Sequence, residues 1–214
     1  TFEGGCMRTL WLTAALCALS APISADEPRF AAGARLLILL SDGQPANDMI
    51  GLGLTGRWRW REGWYLGFGL DQVEFDYERP NDILGIPSTA EIDGSNDWTR
   101  VSGWIERRYD EGDLAWSWHW LAGLGFASVS TEDVRGATPT GGTWDIATDA
   151  RNEVHALLGI GLRRYIGARW AVDGALHVEH HATDYELVDR VSGRTGTVSS
   201  QTPWGASFGV SYRF

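Results

Sequence analysis

The segment Trp204–Phe214, WGASFGVSYRF, repeats with period two. Trp204, Ala206, Phe208, Val210, Tyr212 and Phe214 share one parity, and Gly205, Ser207, Gly209, Ser211 and Arg213 share the other. Side chains alternate across a strand, so this run makes a strand with one large apolar face and one small or polar face. No other feature constrains the fold as much, because the pattern recurs along the chain.

The alternation predicts eight strands. The first lies near Ala32–Ser41, where a run of leucines leaves the facing open. The second, Met49–Arg61, sets Ile50, Leu52, Leu54, Trp58 and Trp60 against Thr55, Arg57, Arg59 and Arg61. The third, Trp64–Glu78, has Trp64, Leu66, Phe68 and Leu70 on one face. Its parity changes beyond Asp71, which a bulge or emergence from an apolar layer would produce. The fourth, Trp98–Tyr109, is the least regular. In the fifth, Trp116, Trp118, Trp120, Ala122, Leu124 and Phe126 oppose Ser117, His119, Gly123 and Gly125. The sixth runs from Asn152 to Tyr165 and the seventh from Arg169 to Leu187; Trp204–Phe214 is the eighth.

The connections alternate as well. The second, fourth and sixth are tight turns, REG, DEGD and IGA. The first, third, fifth and seventh are longer loops, among them Arg79–Asp97, residues 135–150 and residues 188–200. Strands running up and down in order place all tight turns at one end and all long loops at the other. The expected fold is an all-β, eight-stranded antiparallel up-and-down barrel.

Which stripe faces inward follows from volume. Eight strands leave an interior just wide enough for side chains, and 12 tryptophans pointing inward would overfill it. The other parity mixes glycine with Arg, Asp, Glu and His. The workable arrangement puts aromatics outward into lipid and charges with glycine inward. Trp58, Trp60, Trp64, Trp116, Trp118, Trp170 and Tyr212 then gather near the tight-turn end, with Trp98 and Trp204 at the loop end, as aromatic girdles would. Closure satisfies every backbone polar group, which lipid requires.

The remaining composition narrows the possibilities. A net charge of −10 disfavours nucleic acid as a partner, since phosphate binding needs a basic face. No apolar run reaches the roughly 18 residues of a membrane-spanning helix. Met7–Ala25, MRTLWLTAALCALSAPISA, has the basic, apolar and small-residue order of a secretory signal, with cleavage expected after Ala25. Residues 1–6 read as an upstream extension, and residues 26–214 as a single barrel domain. Cys6 and Cys17 fall outside that domain, which therefore needs no disulfide.

The signal, the eight alternating strands, the turn and loop alternation and the closing aromatic stripe resemble the small bacterial outer-membrane barrels of Gram-negative bacteria, the group of the OmpA transmembrane domain and the OmpX and OmpW-like proteins. The resemblance spans residues 26–214 and assigns no subfamily. It implies location in the cell outer membrane, contact with lipid and lipopolysaccharide, and a monomeric state. It also implies that Phe208, Val210, Tyr212 and Phe214 form a signal read by the barrel-assembly machinery.

The inward set comprises Arg57, Arg59, Asp71, Glu106, His119, Glu153, His155, Arg163, Asp173, His177, Glu179 and His181. Opposite charges in a narrow lumen form a salt-bridged plug, which stabilises only if each member finds a partner. The expected function is a structural or surface-exposed barrel, not an enzyme, with no wide pore and no cofactor. Two alternatives stay open. A lipid A-modifying enzyme would use Ser117 with His119, or His181 with Thr183 and Glu179, as a hydrolytic set; that face points to the lumen, away from lipid. A narrow conduit or binder for small hydrophobic ligands is the other. His177, Glu179, His181 and His155 also have zinc-ligand chemistry, but alternating polar residues on a lumen face need no metal, and none is assigned. The loops lean acidic, at Asp93, Asp97, Glu132, Asp133, Asp145 and Asp149, which suits solvated surface or divalent cations bridging lipopolysaccharide.

Overall fold

The computed structural model describes residues 29–40, 46–78, 80–89, 93–110, 116–131, 133–148, 152–182, 185–198 and 202–214. The expected signal at 1–25 lies outside them. Eight long strands close into one barrel: β1 (Phe30–Leu40), β2 (Ala46–Arg61), β3 (Trp64–Glu78), β4 (Asp93–Asp110), β5 (Trp116–Thr131), β8 (Asn152–Ile166), β9 (Trp170–His181) and β12 (Trp204–Arg213). Each pairs antiparallel with its chain neighbour, and β1 pairs with β12 from Ala31↔Arg213 to Leu40↔Trp204. The amide of Phe214 donates to the carbonyl of Phe30 at 2.9 Å, so the two ends of the barrel sequence meet at the tight-turn rim. At that rim the β2–β3 turn needs Gly63, whose φ of 65° is costly for a residue with a Cβ.

Odd positions point inward in every barrel strand except β4, where even positions do. The outward positions form an apolar belt: Leu52, Phe68, Val101, Leu124, Phe126, Leu158, Ile160, Leu162, Leu176, Phe208 and Val210 are all exposed. Trp58, Trp60, Trp116, Trp118 and Trp170 ring the tight-turn end of that belt. Such a wall is stable only against hydrocarbon, and the closed ladder leaves no edge to it.

The structure corrects the sequence reading in three places. Trp98, expected in the outer girdle, points inward and is buried, as is Trp104. Gly67 makes room for Trp104, since a Cβ there would run into its indole ring. Beyond Asp71, β3 keeps its register with β4 from Trp64↔Arg107 to Glu78↔Asp93; the irregularity lies in β2, between Ala46 and Met49. The parity of β3 does not change, but the lumen does: Val73 joins Leu37, Leu39, Met49, Trp98 and Val129 in an apolar cluster inside the loop end of the barrel.

The third correction concerns the loops. Four short strands, β6 (Val134–Ala137), β7 (Thr143–Thr148), β10 (Tyr185–Asp189) and β11 (Thr195–Val198), form a second antiparallel sheet in the order β11-β10-β7-β6. The expected seventh strand therefore divides, ending in the barrel at His181 and resuming in this sheet at Tyr185. A short helix, α1 (Pro80–Ile83), leads to Leu84 and Ile86, which pack with Val134, Trp144, Ile146 and Leu187 into a core of the sheet's own.

Candidate functional site

Inside the barrel, charged side chains from six strands meet at three levels. Nearest the tight turns, one carboxylate faces three guanidinium groups. Glu106 (β4) accepts from Arg57 Nε (β2) at 3.1 Å, from Arg108 Nη2 (β4) at 2.9 Å and from Arg163 Nη1 (β8) at 3.2 Å. Asp173 (β9) accepts from Arg57 Nη2 at 2.6 Å and lies 3.5 Å from Arg163 Nη2. Arg108 also donates to the Tyr165 hydroxyl at 2.6 Å and sits 3.7 Å above the Tyr65 ring. Glu106 is wholly buried, so these contacts stand in for its lost hydration.

At mid-height Arg35 (β1) grips Asp71 (β3) with both ends of its fork, at 2.8 and 2.6 Å. This bidentate geometry is the strong form of the pair. The Arg35 guanidinium also stacks 5.3 Å from the Trp104 ring, where ring and cation attract.

Toward the loops, Arg100 (β4) donates to Glu179 (β9) at 2.7 Å and approaches His155 Nε2 to 3.3 Å. Ser102 Oγ is 3.2 Å from the same nitrogen. His177 Nε2 lies 3.4 Å from Glu179 Oε1. His181 lies between two carboxylates, with Nδ1 2.5 Å from Glu153 and Nε2 3.4 Å from Glu179. Its ring stacks on His155 at 5.4 Å and meets Trp98 at 4.7 Å. Through that last contact the polar network gives way to the apolar cluster of Leu37, Leu39, Met49, Val73 and Val129.

Of the residues anticipated from sequence, Arg57, Asp71, Glu106, His119, Glu153, His155, Arg163, Asp173, His177, Glu179 and His181 all lie on inward positions, and Arg59 lines the tight-turn mouth. Three cations on which the network depends were missed. Arg35 sits in the leucine run whose facing was open. Arg100 and Arg108 sit in the irregular fourth strand. A count of parity across β4 alone would have found both, since Arg100, Ser102, Trp104, Glu106 and Arg108 are all even.

The Ser117–His119 pair does not assemble. Ser117 Oγ is buried and makes no hydrogen bond, so His119 does not activate it. Thr183 lies outside the described residues. Among the described residues no His, Cys, Asp and Glu group is arranged to hold a metal. Of the acidic loop residues, Asp133 pairs with Arg190 at 2.6 Å and Asp145 with Arg135 at 3.3 Å. Glu132 and Asp149 are outside the described residues.

No family model and no curated protein matches the chain. Solved structures do. The outer membrane protein OprG from Pseudomonas aeruginosa superposes with a TM-score of 0.62 at 10% identity, over 86% of this chain and 95% of that one. Neisserial surface protein A superposes with a TM-score of 0.51 at 14% identity, over 86% and 96%. At these identities the likeness is one of fold, and the fold is that of the small eight-stranded outer-membrane β-barrels.

Proposed function

We propose that this chain is a small outer-membrane barrel with a structural or surface-exposed role, whose lumen holds no wide pore. The observation that carries the proposal is the filled interior. Three levels of paired charge and then an apolar cluster occupy the lumen from Glu106 up to Val129. A hydrated ion would have to break Arg35–Asp71 and Arg100–Glu179 and then cross a dry layer at Trp98. A catalytic role through Ser117 is disfavoured because this hydroxyl is shut inside the wall without a base. Lipid on the outer wall, lipopolysaccharide around the loop end and the barrel-assembly machinery acting on Phe208, Val210, Tyr212 and Phe214 are the partners this role entails.

The test is conductance in a planar bilayer. The wild-type barrel is expected to give no steady channel current. Stable unitary currents would contradict the closed lumen and favour the conduit reading. Mass spectrometry of lipid A incubated with the barrel is expected to show no loss or gain of an acyl chain; a change would favour the enzyme.

A further inference from the structure

A cavity of about 270 Å³ opens at the tight-turn end of the barrel. Six arginines line it: Arg29, Arg57, Arg59, Arg108, Arg163 and Arg213. The chain has 18 basic residues, every one of them arginine, so a third of its positive charge borders this one space. Glu62 is the only carboxylate among the described residues lining it, and Glu106 and Asp173 pair with three of its arginines.

The cluster over the cavity is short of anions. Arg57, Arg108 and Arg163 are three cations, and Glu106 and Asp173 supply two negative charges. Three guanidinium groups bring about fifteen N–H donors, far more than four carboxylate oxygens accept. The surplus is visible among the described residues: Arg108 Nε, Arg163 Nε and Arg213 Nε are buried without a hydrogen-bond partner there, and Arg163 Nη2, 3.5 Å from Asp173, makes no hydrogen bond. Unpaired buried donors on charged groups are costly. The aromatic rings hold the forks in place, with Arg108 over Tyr65 at 3.7 Å and Arg213 over Tyr165 at 4.3 Å. The guanidinium fork matches the oxygens of phosphate in pairs, which a lysine ammonium would not.

We propose that the tight-turn mouth is a binding site for a phosphate-class oxyanion, which completes the charge balance of the Arg57–Arg108–Arg163 cluster. A small solute and a lipid headgroup at the membrane interface both carry such a phosphate, and the mouth lies level with Trp58 and Trp170.

Side-chain NMR of the barrel, labelled with nitrogen-15 in arginine, tests this. In maltoside micelles, which carry no phosphate, inorganic phosphate is expected to shift the Nε–H signals of Arg108, Arg163 and Arg213 saturably. Arg135 and Arg190, exposed on the loop sheet, should stay still. Arg213→Gln leaves the Glu106 cluster intact and should weaken binding about tenfold, the loss of one charge-assisted contact. Arg108→Gln should weaken it further if the variant folds. In nanodiscs of phosphatidylcholine, signals already shifted before phosphate is added identify the headgroup as the source. Signals that match those in maltoside and then move with added phosphate identify the free solute. Mouth arginines that respond to neither, or only as much as Arg135 and Arg190 do, overturn the site.

Discussion

Leu158 on the barrel wall and Arg135 on the loop sheet are both well exposed, Leu158 at 64% and the Arg135 side chain at 71%. Glu106 in the barrel and Ile146 in the loop sheet are equally buried, both at 0%. The two sheets are thus built inside out with respect to each other. In the barrel, exposed positions form a continuous apolar belt and buried ones a charge network. In the loop sheet, Leu84, Ile86, Val134, Trp144, Ile146 and Leu187 are inside, and Arg190 and Asp133 meet at the surface. The backbone geometry is the same in both; the surroundings decide which stripe is buried. Hydrocarbon accepts Leu158 and makes Glu106 seek partners inside, whereas water drives Trp144 inward. Where the two regimes meet, the lumen itself turns apolar around Trp98.

The comparison can be broken most severely at Glu106. Glu106→Gln leaves Arg57, Arg108 and Arg163 facing Asp173 alone. Stranding buried charge in this way costs about 3–5 kcal/mol, and guanidinium unfolding in micelles should show it as a large fall in the transition midpoint. In the loop sheet the equivalent blow is Trp144→Ala, which removes the largest buried side chain of that core at about 3–5 kcal/mol. Its effect should be local: faster amide exchange and proteolysis in β6, β7, β10 and β11, with the barrel still folded. Loss of the barrel along with the sheet would show that the two are one cooperative unit.

A matched pair of surface substitutions sharpens the contrast. Leu158→Arg sets a charge in the lipid belt and should cost about 2–4 kcal/mol. Val191→Arg, in the turn between β10 and β11 and 58% exposed, should change stability by no more than about 0.5 kcal/mol. Equal effects in paired unfolding curves would mean that the barrel wall does not face hydrocarbon.

The smallest effect concerns Asp189, at the end of β10. Burial pushes its carboxyl upward, but four donors outweigh that and hold it below the ordinary aspartate value. They are the Ser192 hydroxyl at 2.5 Å and the backbone amides of Asp145, Val191 and Ser192 at 2.8, 3.2 and 3.0 Å. With the folded value depressed, the stabilisation is present above the ordinary aspartate range and is lost as pH falls through the folded value. Amide protection at Asp145 and Ser192 should therefore drop only in acid, and Asp189→Asn should abolish that pH dependence while leaving the barrel unchanged.

Much of this was legible in the sequence because a period of two is hard to mistake over ten or more residues. Parity along β2, β5, β8 and β9 was enough to place Arg57, His119, Arg163 and Glu179 inside. It failed where the signal is weak for a physical reason. Along β1 the run Leu36–Leu40 is apolar on both faces, since its inner residues Leu37 and Leu39 belong to the apolar cluster, and Arg35 was lost with it. Along β4, tryptophan occurs on the inner face at Trp98 and Trp104, against an expectation that aromatics point to lipid. Gly67 makes room for one of them, and a glycine opposite a tryptophan across two strands is not visible before register is known. The loop sheet escaped because strands of four to six residues are too short for alternation to stand out from turn-rich sequence.

The most direct measurement is folding with and without an amphiphile. Refolded into detergent micelles, the chain should run faster on an SDS gel when unboiled than when boiled, with β-type circular dichroism, and should fail to fold in plain buffer. A chain that reaches the same β-rich state in buffer alone would contradict the account, because its apolar stripe would then have to be buried inside and its charges outside.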